Sequence, residues 1–95
     1  MSIIKNFRLR LSEAWYQLSE AERESLLNKV NAARDQAGGT ILFSGESGWA
    51  SEEWQFFGAE EFPDVEAVQK HTKLLSDLDW FRYIESESLV GTRTD

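Results

Sequence analysis

The chain has 95 residues, no cysteine and a formal net charge of -7. This length predicts one domain over residues 1–95. The absence of cysteine excludes disulfides and thiolate chemistry. The negative charge opposes binding to nucleic acid or to an anionic membrane surface. No segment approaches the ~18 apolar residues of a membrane span. The N-terminus also lacks a signal-peptide pattern, so we expect a cytoplasmic protein.

The first strand is predicted at residues 3–11, IIKNFRLRL, because apolar and polar residues alternate there with a period of two. The odd positions are mostly apolar, and we expect them to face the core. Asn6, Arg8 and Arg10 share the other face. A buried pair of arginines can hold a carboxylate or phenolate ligand. The alternative is ion pairing with strand carboxylates such as Glu60, Glu85 or Glu87.

The first helix is predicted at about 19–37, after a connection that contains Trp15 and Tyr16. Ser19 and Glu22 form the capping-box pattern S-E-A-E, which satisfies two backbone amides at a helix start. The glycines at 38 and 39 end the helix. The segment TILFS then predicts a second strand, and the polar loop GESGWASEE follows it.

The second half of the chain predicts two more strands around a second helix. The third strand runs through 54–62, Pro63 ends it, and Asp64 is a good N-cap for the helix. The last strand begins near Trp80 and extends toward Val90, before a frayed tail at 90–95. The order β-α-β-β-α-β predicts a ferredoxin-like α+β fold, with a four-stranded antiparallel sheet and both helices on one face.

The face of this sheet that the helices leave uncovered predicts a homodimer. Along the third strand Trp54, Phe56 and Phe62 share one side, yet Phe57 lies on the other. A sheet face that meets water is normally polar. Each buried aromatic side chain removes about 150–250 Å² from water. We therefore expect a second copy of the chain to cover this face.

Three segments, WYQLSEAERESL, FFGAEEFPDVEAV and WFRYIE, resemble the dimeric α+β barrel superfamily. More narrowly, they look like its small uncharacterised bacterial members related to antibiotic-biosynthesis monooxygenases. The resemblance covers nearly the whole chain as a pattern of elements. It implies a homodimer whose two sheets close into a barrel, with a pocket in each subunit. The superfamily includes cofactor-free monooxygenases, polyketide cyclases, lactone isomerases, haem-degrading monooxygenases and ligand-binding regulators.

Two branches of this superfamily imply roles for particular residues. The cyclase branch uses a His and a Tyr, which His71 and Tyr83 would supply. The haem-degrading branch is similar in having an Asn and a His at the positions of Asn6 and His71. Phe62 stands where that branch has a Trp, so no haem cofactor is expected. His71 is the only histidine and the natural general base, and the alternative is a structural role in the helix.

The leading hypothesis is a small-molecule protein that holds an aromatic or polyketide-like compound without a bound cofactor. It would act as a monooxygenase, cyclase or isomerase with His71 and Tyr83 as catalytic residues. The predicted binding residues are Asn6, Arg8, Trp54, Phe56 and Phe62. Two alternatives stay open: a non-catalytic interaction or assembly module without a ligand pocket, and a haem-binding protein.

Overall fold

The computed structural model describes residues 1–95 and confirms the ferredoxin-like fold. Its strands are β1 (Ile3–Leu11), β2 (Thr40–Glu46), β3 (Phe56–Phe62) and β4 (Ile84–Thr92). Its helices are α1 (Glu13–Tyr16), α2 (Glu20–Gln36), α3 (Val65–Asp77) and α4 (Trp80–Tyr83). The strands form one antiparallel sheet in the order β2-β3-β1-β4. None of the helices combines the length and apolar character that crossing a membrane requires.

Both ends of α2 follow from local sequence signals. The Ser19 hydroxyl accepts a hydrogen bond from the backbone N–H of Glu22 at 3.1 Å, and the Glu22 carboxylate accepts one from the Ser19 N–H at 2.9 Å. This is the predicted capping box. At the other end Gly38 has a φ of 82°, and the Gly39 N–H donates to the Arg34 carbonyl at 2.9 Å. The helix is therefore fixed at both ends, with Arg34 in its last turn.

The hydrophobic core lies between the sheet and the helices in two clusters. One contains Trp15, Ala33, Leu75, Trp80 and Ile84. The other contains Ala37, Phe62 and Ala67, and its Phe62 side chain is fully buried. The Phe62 ring crosses directly over Gly39, where a Cβ would lie only 2.5 Å from the ring.

Two predicted strand starts are corrected by the structure. The third strand begins at Phe56 instead of Trp54, because the Trp54 N–H donates to the Ser51 hydroxyl at 2.9 Å in a turn. The last strand begins at Ile84, because the preceding residues form α4 after Asp79, which has a φ of 57°. These local turns hold both tryptophans outside the strands.

Two further differences concern segments predicted to be irregular. The connection after β1 contains the short helix α1, and its Trp15 packs edge-on against Trp80 with ring centroids 6.2 Å apart. At the C-terminus β4 continues to Thr92, so residues 90–92 belong to the sheet instead of a frayed tail. Arg93 follows and forms an ion pair with Glu61 at 2.9 Å.

Candidate functional site: a cavity between sheet and helices

A cavity of about 160 Å³ lies between the sheet and the helices α2 and α3. We call it the helix-side cavity. Its apolar wall includes Phe7, Leu9, Val30, Leu75, Trp80 and Ile84. Four ionisable side chains also line it, and we call them the polar cluster: Lys5, Arg34, Glu60 and His71. An apolar cavity of about 150 Å³ is large enough to bind benzene. The helix-side cavity therefore has room for one aromatic ring.

Strand register and helix position bring the polar cluster together. Lys5 on β1 lies opposite Glu60 on β3, and both side chains point toward the helices. The Arg34 guanidinium at the end of α2 lies 3.9 Å from the Glu60 carboxylate. His71 extends from α3 and packs against the Phe62 ring, with centroids 5.1 Å apart. Four different elements thus contribute one ionisable group each.

His71 is held neutral in this environment. Its side chain is only 3% exposed, and its Nδ1 atom is buried without a hydrogen-bond partner. Burial, together with the positive charges of Lys5 and Arg34, lowers the pKa of His71 to about 4. At neutral pH the ring is therefore an uncharged hydrogen-bonding group and a weak base.

Glu60 is shifted in the opposite direction. It is 7% exposed, and burial raises the pKa of its carboxyl group, although the charges of Lys5 and Arg34 oppose the shift. Burial also lowers the pKa of Lys5, against the attraction of Glu60. A general acid or base works best with a pKa near the working pH. By that criterion Glu60 is better suited to proton transfer than His71.

The structure separates Asn6 and Arg8 from His71, which corrects their predicted grouping in one pocket. Successive side chains of a strand point to opposite faces of the sheet. Because Lys5 lines the helix-side cavity, Asn6 and Arg8 lie on the other face, which we call the open face. Trp54 packs there too, with the Arg8 guanidinium 5.7 Å from its ring centroid.

Ion pairs on the open face confirm the alternative interpretation of the two arginines. Arg8 contacts Glu87 at 3.3 Å, and Arg10 donates to Glu85 at 2.6 Å. All four side chains are exposed. Ion pairing with strand carboxylates therefore accounts for both arginines.

Tyr83 and Phe56 also lie away from the helix-side cavity. Tyr83 belongs to α4 and borders a separate surface groove beside Leu18 and Leu26. Phe56 shares its side of β3 with Phe62 but lies at the far end of the strand, opposite Leu9. The predicted pairing of Tyr83 with His71 is corrected for this reason. Of the predicted site residues, His71 and Phe62 lie together on the helix side, and Arg8 and Trp54 lie together on the open face.

Lys5, Arg34 and Glu60 were missed as site residues by sequence reasoning. A signal for two of them exists, since Lys5 and Glu60 are charged residues at strand positions whose neighbours on the same side face the core. Charged residues at such positions are rarely buried without a partner. Arg34 carries no comparable signal, because its contact with Glu60 depends on how α2 packs on the sheet.

These features define a small ferredoxin-like α+β protein with a charged cavity between its sheet and helices. The chain belongs to the DUF6616 family, described as a family of unknown function, whose model matches residues 8–95. A search of curated proteins finds no match.

Solved structures share the fold at low sequence identity. A putative chlorite dismutase matches with a TM-score of 0.77 and 19% identity over 100% of this chain and 45% of that chain. Chlorite dismutase from Candidatus Nitrospira defluvii in complex with imidazole matches with a TM-score of 0.78 and 12% identity, over 99% and 40% of the two chains. A protein of unknown function from Rhodopseudomonas palustris matches with a TM-score of 0.70 and 15% identity, over 99% and 83%. This chain therefore spans less than half the length of the chlorite dismutases that it matches.

Proposed function

We propose that this protein binds a small aromatic molecule in the helix-side cavity. The observation that carries the proposal is the unpartnered Nδ1 atom of His71, in a side chain that lines the cavity and is almost completely buried. Most buried polar groups have a hydrogen-bond partner, and leaving one unsatisfied costs about 1–3 kcal/mol. A ligand that exchanges a hydrogen bond with the His71 ring would remove this cost.

The size of the cavity restricts the ligand to a single ring. Pockets for drug-sized ligands measure about 300–1,000 Å³, whereas this cavity measures about 160 Å³. Polycyclic, polyketide-like compounds exceed that space. A phenol or a benzoic acid is the class of compound that the volume and the aromatic wall favour.

Proton transfer is the chemistry that the polar cluster supports best. The raised pKa of Glu60 suits a group that exchanges protons with the ligand, giving a proton to one position and taking one from another. His71, with a pKa of about 4, orients the ligand instead of acting as the base. An isomerisation or a cyclisation without a bound cofactor fits these roles. The relation to antibiotic-biosynthesis monooxygenases stays a prediction.

Titration with phenol tests the proposed binding. Trp80 lines the cavity, so we expect saturable quenching of tryptophan fluorescence at micromolar to millimolar phenol. His71→Phe keeps a ring of similar size and removes both nitrogens, and should abolish saturation while circular dichroism stays native. If no phenol or benzoic acid in a monocyclic panel binds saturably, the interaction-module alternative replaces this proposal.

We also propose that two copies pair through the open face. Phe43, Phe57 and Leu89 lie on that face and are 51%, 42% and 78% exposed. The chain exposes 6292 Å² in total. A globular monomer of 10.9 kDa exposes about 5,600 Å². The excess of roughly 700 Å² is close to the ~800 Å² that one partner buries in a standard interface.

Sedimentation velocity at micromolar concentration tests this pairing. We expect a species of twice 10.9 kDa for the natural chain and dissociation in Phe57→Lys. Val65→Lys is the matched control, because Val65 is similarly exposed but lies on α3 away from the open face. A stable monomer of the natural chain would contradict the proposal.

Haem binding is a second candidate because His71 offers a neutral ring nitrogen beside a cavity. Two features do not fit haem. The cavity has room for one small ring, and the His71 ring is packed against Phe62. We expect haemin to give no stoichiometric Soret band. A band that appears with the natural chain and disappears in His71→Ala would favour haem over the single-ring ligand.

A further inference from the structure

We propose that the helix-side cavity binds a monocyclic aromatic acid as its anion, and that binding adds a proton to Glu60. This inference rests on the proposed function, because it concerns the same cavity. It specifies the charge of the ligand and the proton that accompanies it. A benzoate-like carboxylate attached to one ring is the simplest member of this class.

The polar cluster contains one more positive charge than negative charge. Lys5 and Arg34 are cations, Glu60 is the single carboxylate that lines the cavity, and His71 is neutral. The Asp35 carboxylate lies 3.9 Å from the Arg34 side chain, but its own side chain is 74% exposed on α2. Buried charges are normally paired. A ligand anion would supply the missing negative charge.

The geometry leaves the cations free to receive that anion. The Arg34–Glu60 distance of 3.9 Å exceeds the range of a hydrogen bond. The Nε atom of Arg34 is buried and has no hydrogen-bond partner. Charge attracts Lys5 to Glu60, but the two side chains form no close ion pair. A carboxylate between Lys5 and Arg34 would therefore find unused donors, and a guanidinium can bind it with two parallel hydrogen bonds.

The proton follows from placing two carboxylates in one site. A bound anion would draw Lys5 and Arg34 away from Glu60 and repel its charge, and one of two adjacent carboxylates then takes up a proton. The ionisable groups that face Glu60 are Lys5 from β1, Arg34 from α2 and His71 from α3. Its neighbour on β2 is the apolar Ile41. Burial raises the pKa of Glu60, whereas burial lowers that of His71 and both cations lower it further, so Glu60 is the acceptor.

Isothermal titration calorimetry with benzoate and its neutral isostere benzamide tests the inference. Titrations of the natural chain at pH 7 in PIPES and in Tris, whose ionisation enthalpies differ, measure the proton uptake. We expect benzoate to bind about tenfold more tightly than benzamide, with uptake approaching one proton. In Glu60→Gln the uptake should vanish and benzoate should bind more tightly, because the competing carboxylate is gone.

The variants distinguish failure of this inference from failure of the proposed function. Lys5→Met should lower the ratio of benzoate to benzamide affinity about tenfold, while Arg8→Met on the open face should leave the ratio unchanged. If benzamide binds the natural chain as tightly as benzoate, the anion proposal is wrong and single-ring binding stands. Proton uptake that persists in Glu60→Gln would overturn the role of Glu60. If neither compound binds but phenol does, the anion proposal is wrong and single-ring binding stands, whereas failure of phenol as well would defeat the proposed function itself. The titrations of the natural chain decide the anion proposal even if Lys5→Met does not fold.

Discussion

The two faces of the sheet carry similar residues in opposite states. On the open face Arg8 and Arg10 form exposed ion pairs with carboxylates of β4. On the helix side the side chains of Lys5 and Glu60, from the adjoining strands β1 and β3, are largely buried and make no hydrogen bond to each other. Exposed pairs contribute about 0–1 kcal/mol, and buried charges without close partners are costly. The face of the strand, and not the residue type, therefore separates the solvated surface from the candidate site.

Two phenylalanines on opposite faces of β3 give the largest expected contrast. Phe62 is completely buried under α2 and α3, so Phe62→Ala should lower the free energy of unfolding by about 3–5 kcal/mol. Phe57 is 42% exposed on the open face, and Phe57→Ala should cost less than about 1.5 kcal/mol at protein concentrations low enough to disfavour pairing. Urea unfolding measures both. Equal losses would show that the two faces do not differ as described.

The pH dependence of stability tests the burial of His71. Folding lowers its pKa from 6.5 to about 4, so the unfolded chain binds the proton more strongly between these values. The stability linked to His71 is fully present above pH 6.5 and is lost as the pH falls toward 4. This loss is at most on the order of 3 kcal/mol.

Glu60 contributes to the pH dependence of stability with the opposite sign, because its raised pKa favours the folded state at low pH. The informative quantity is therefore the difference in unfolding free energy between the natural chain and His71→Phe. As the pH falls from 7 to 4, we expect the natural chain to lose stability steadily relative to His71→Phe. Parallel profiles over that range would mean that His71 is solvated.

Removal of the α2 cap should have a smaller effect. Ser19→Ala deletes the acceptor for the Glu22 N–H and should lower stability by about 1 kcal/mol. Ser25→Ala, at an exposed position inside the same helix, is the control and should be neutral or slightly stabilising. A urea midpoint unchanged by Ser19→Ala would contradict the hydrogen bonding seen at the start of α2.

The smallest effect is expected for the ion pairs of the open face. A double-mutant cycle on Arg8 and Glu87 should give a coupling of about 0.2–1 kcal/mol that weakens with added salt. Measurement at low protein concentration keeps pairing of chains from contributing. A coupling that is several times larger and independent of salt would show that this face is not solvated in the single chain.

Local signals explain which parts of the fold were predictable. The alternation of residues 3–11, the capping box at Ser19 and the glycine stop at Gly38 each act within a few residues, and all three are present in the structure. The predicted starts of the third and last strands near Trp54 and Trp80 are wrong. Tryptophan favours strands, whereas side-chain and tertiary contacts hold both of these residues outside them. Trp80 packs against Trp15, which is far away in sequence.

The candidate site was predictable only in part. The chemistry of His71 marks it as a candidate, and the alternation of β1 separates Asn6 and Arg8 from it, since the odd positions of this strand face the core. The same alternation places Lys5 inside, and the side of β3 that carries Phe62 places Glu60 inside. Arg34 enters the cluster only through the packing of α2 on the sheet, which no local pattern encodes.

Chemical-shift mapping along β1 tests the central claim most directly. Side-chain NMR signals of Lys5 and Phe7 report on the helix-side cavity, while those of Asn6 and Arg8 report on the open face. On titration with benzoate we expect saturable shifts at Lys5, Phe7 and His71 and unchanged signals at Asn6 and Arg8. Saturable shifts at Asn6 and Arg8 with none at Lys5 and His71 would place the ligand on the open face and contradict the account.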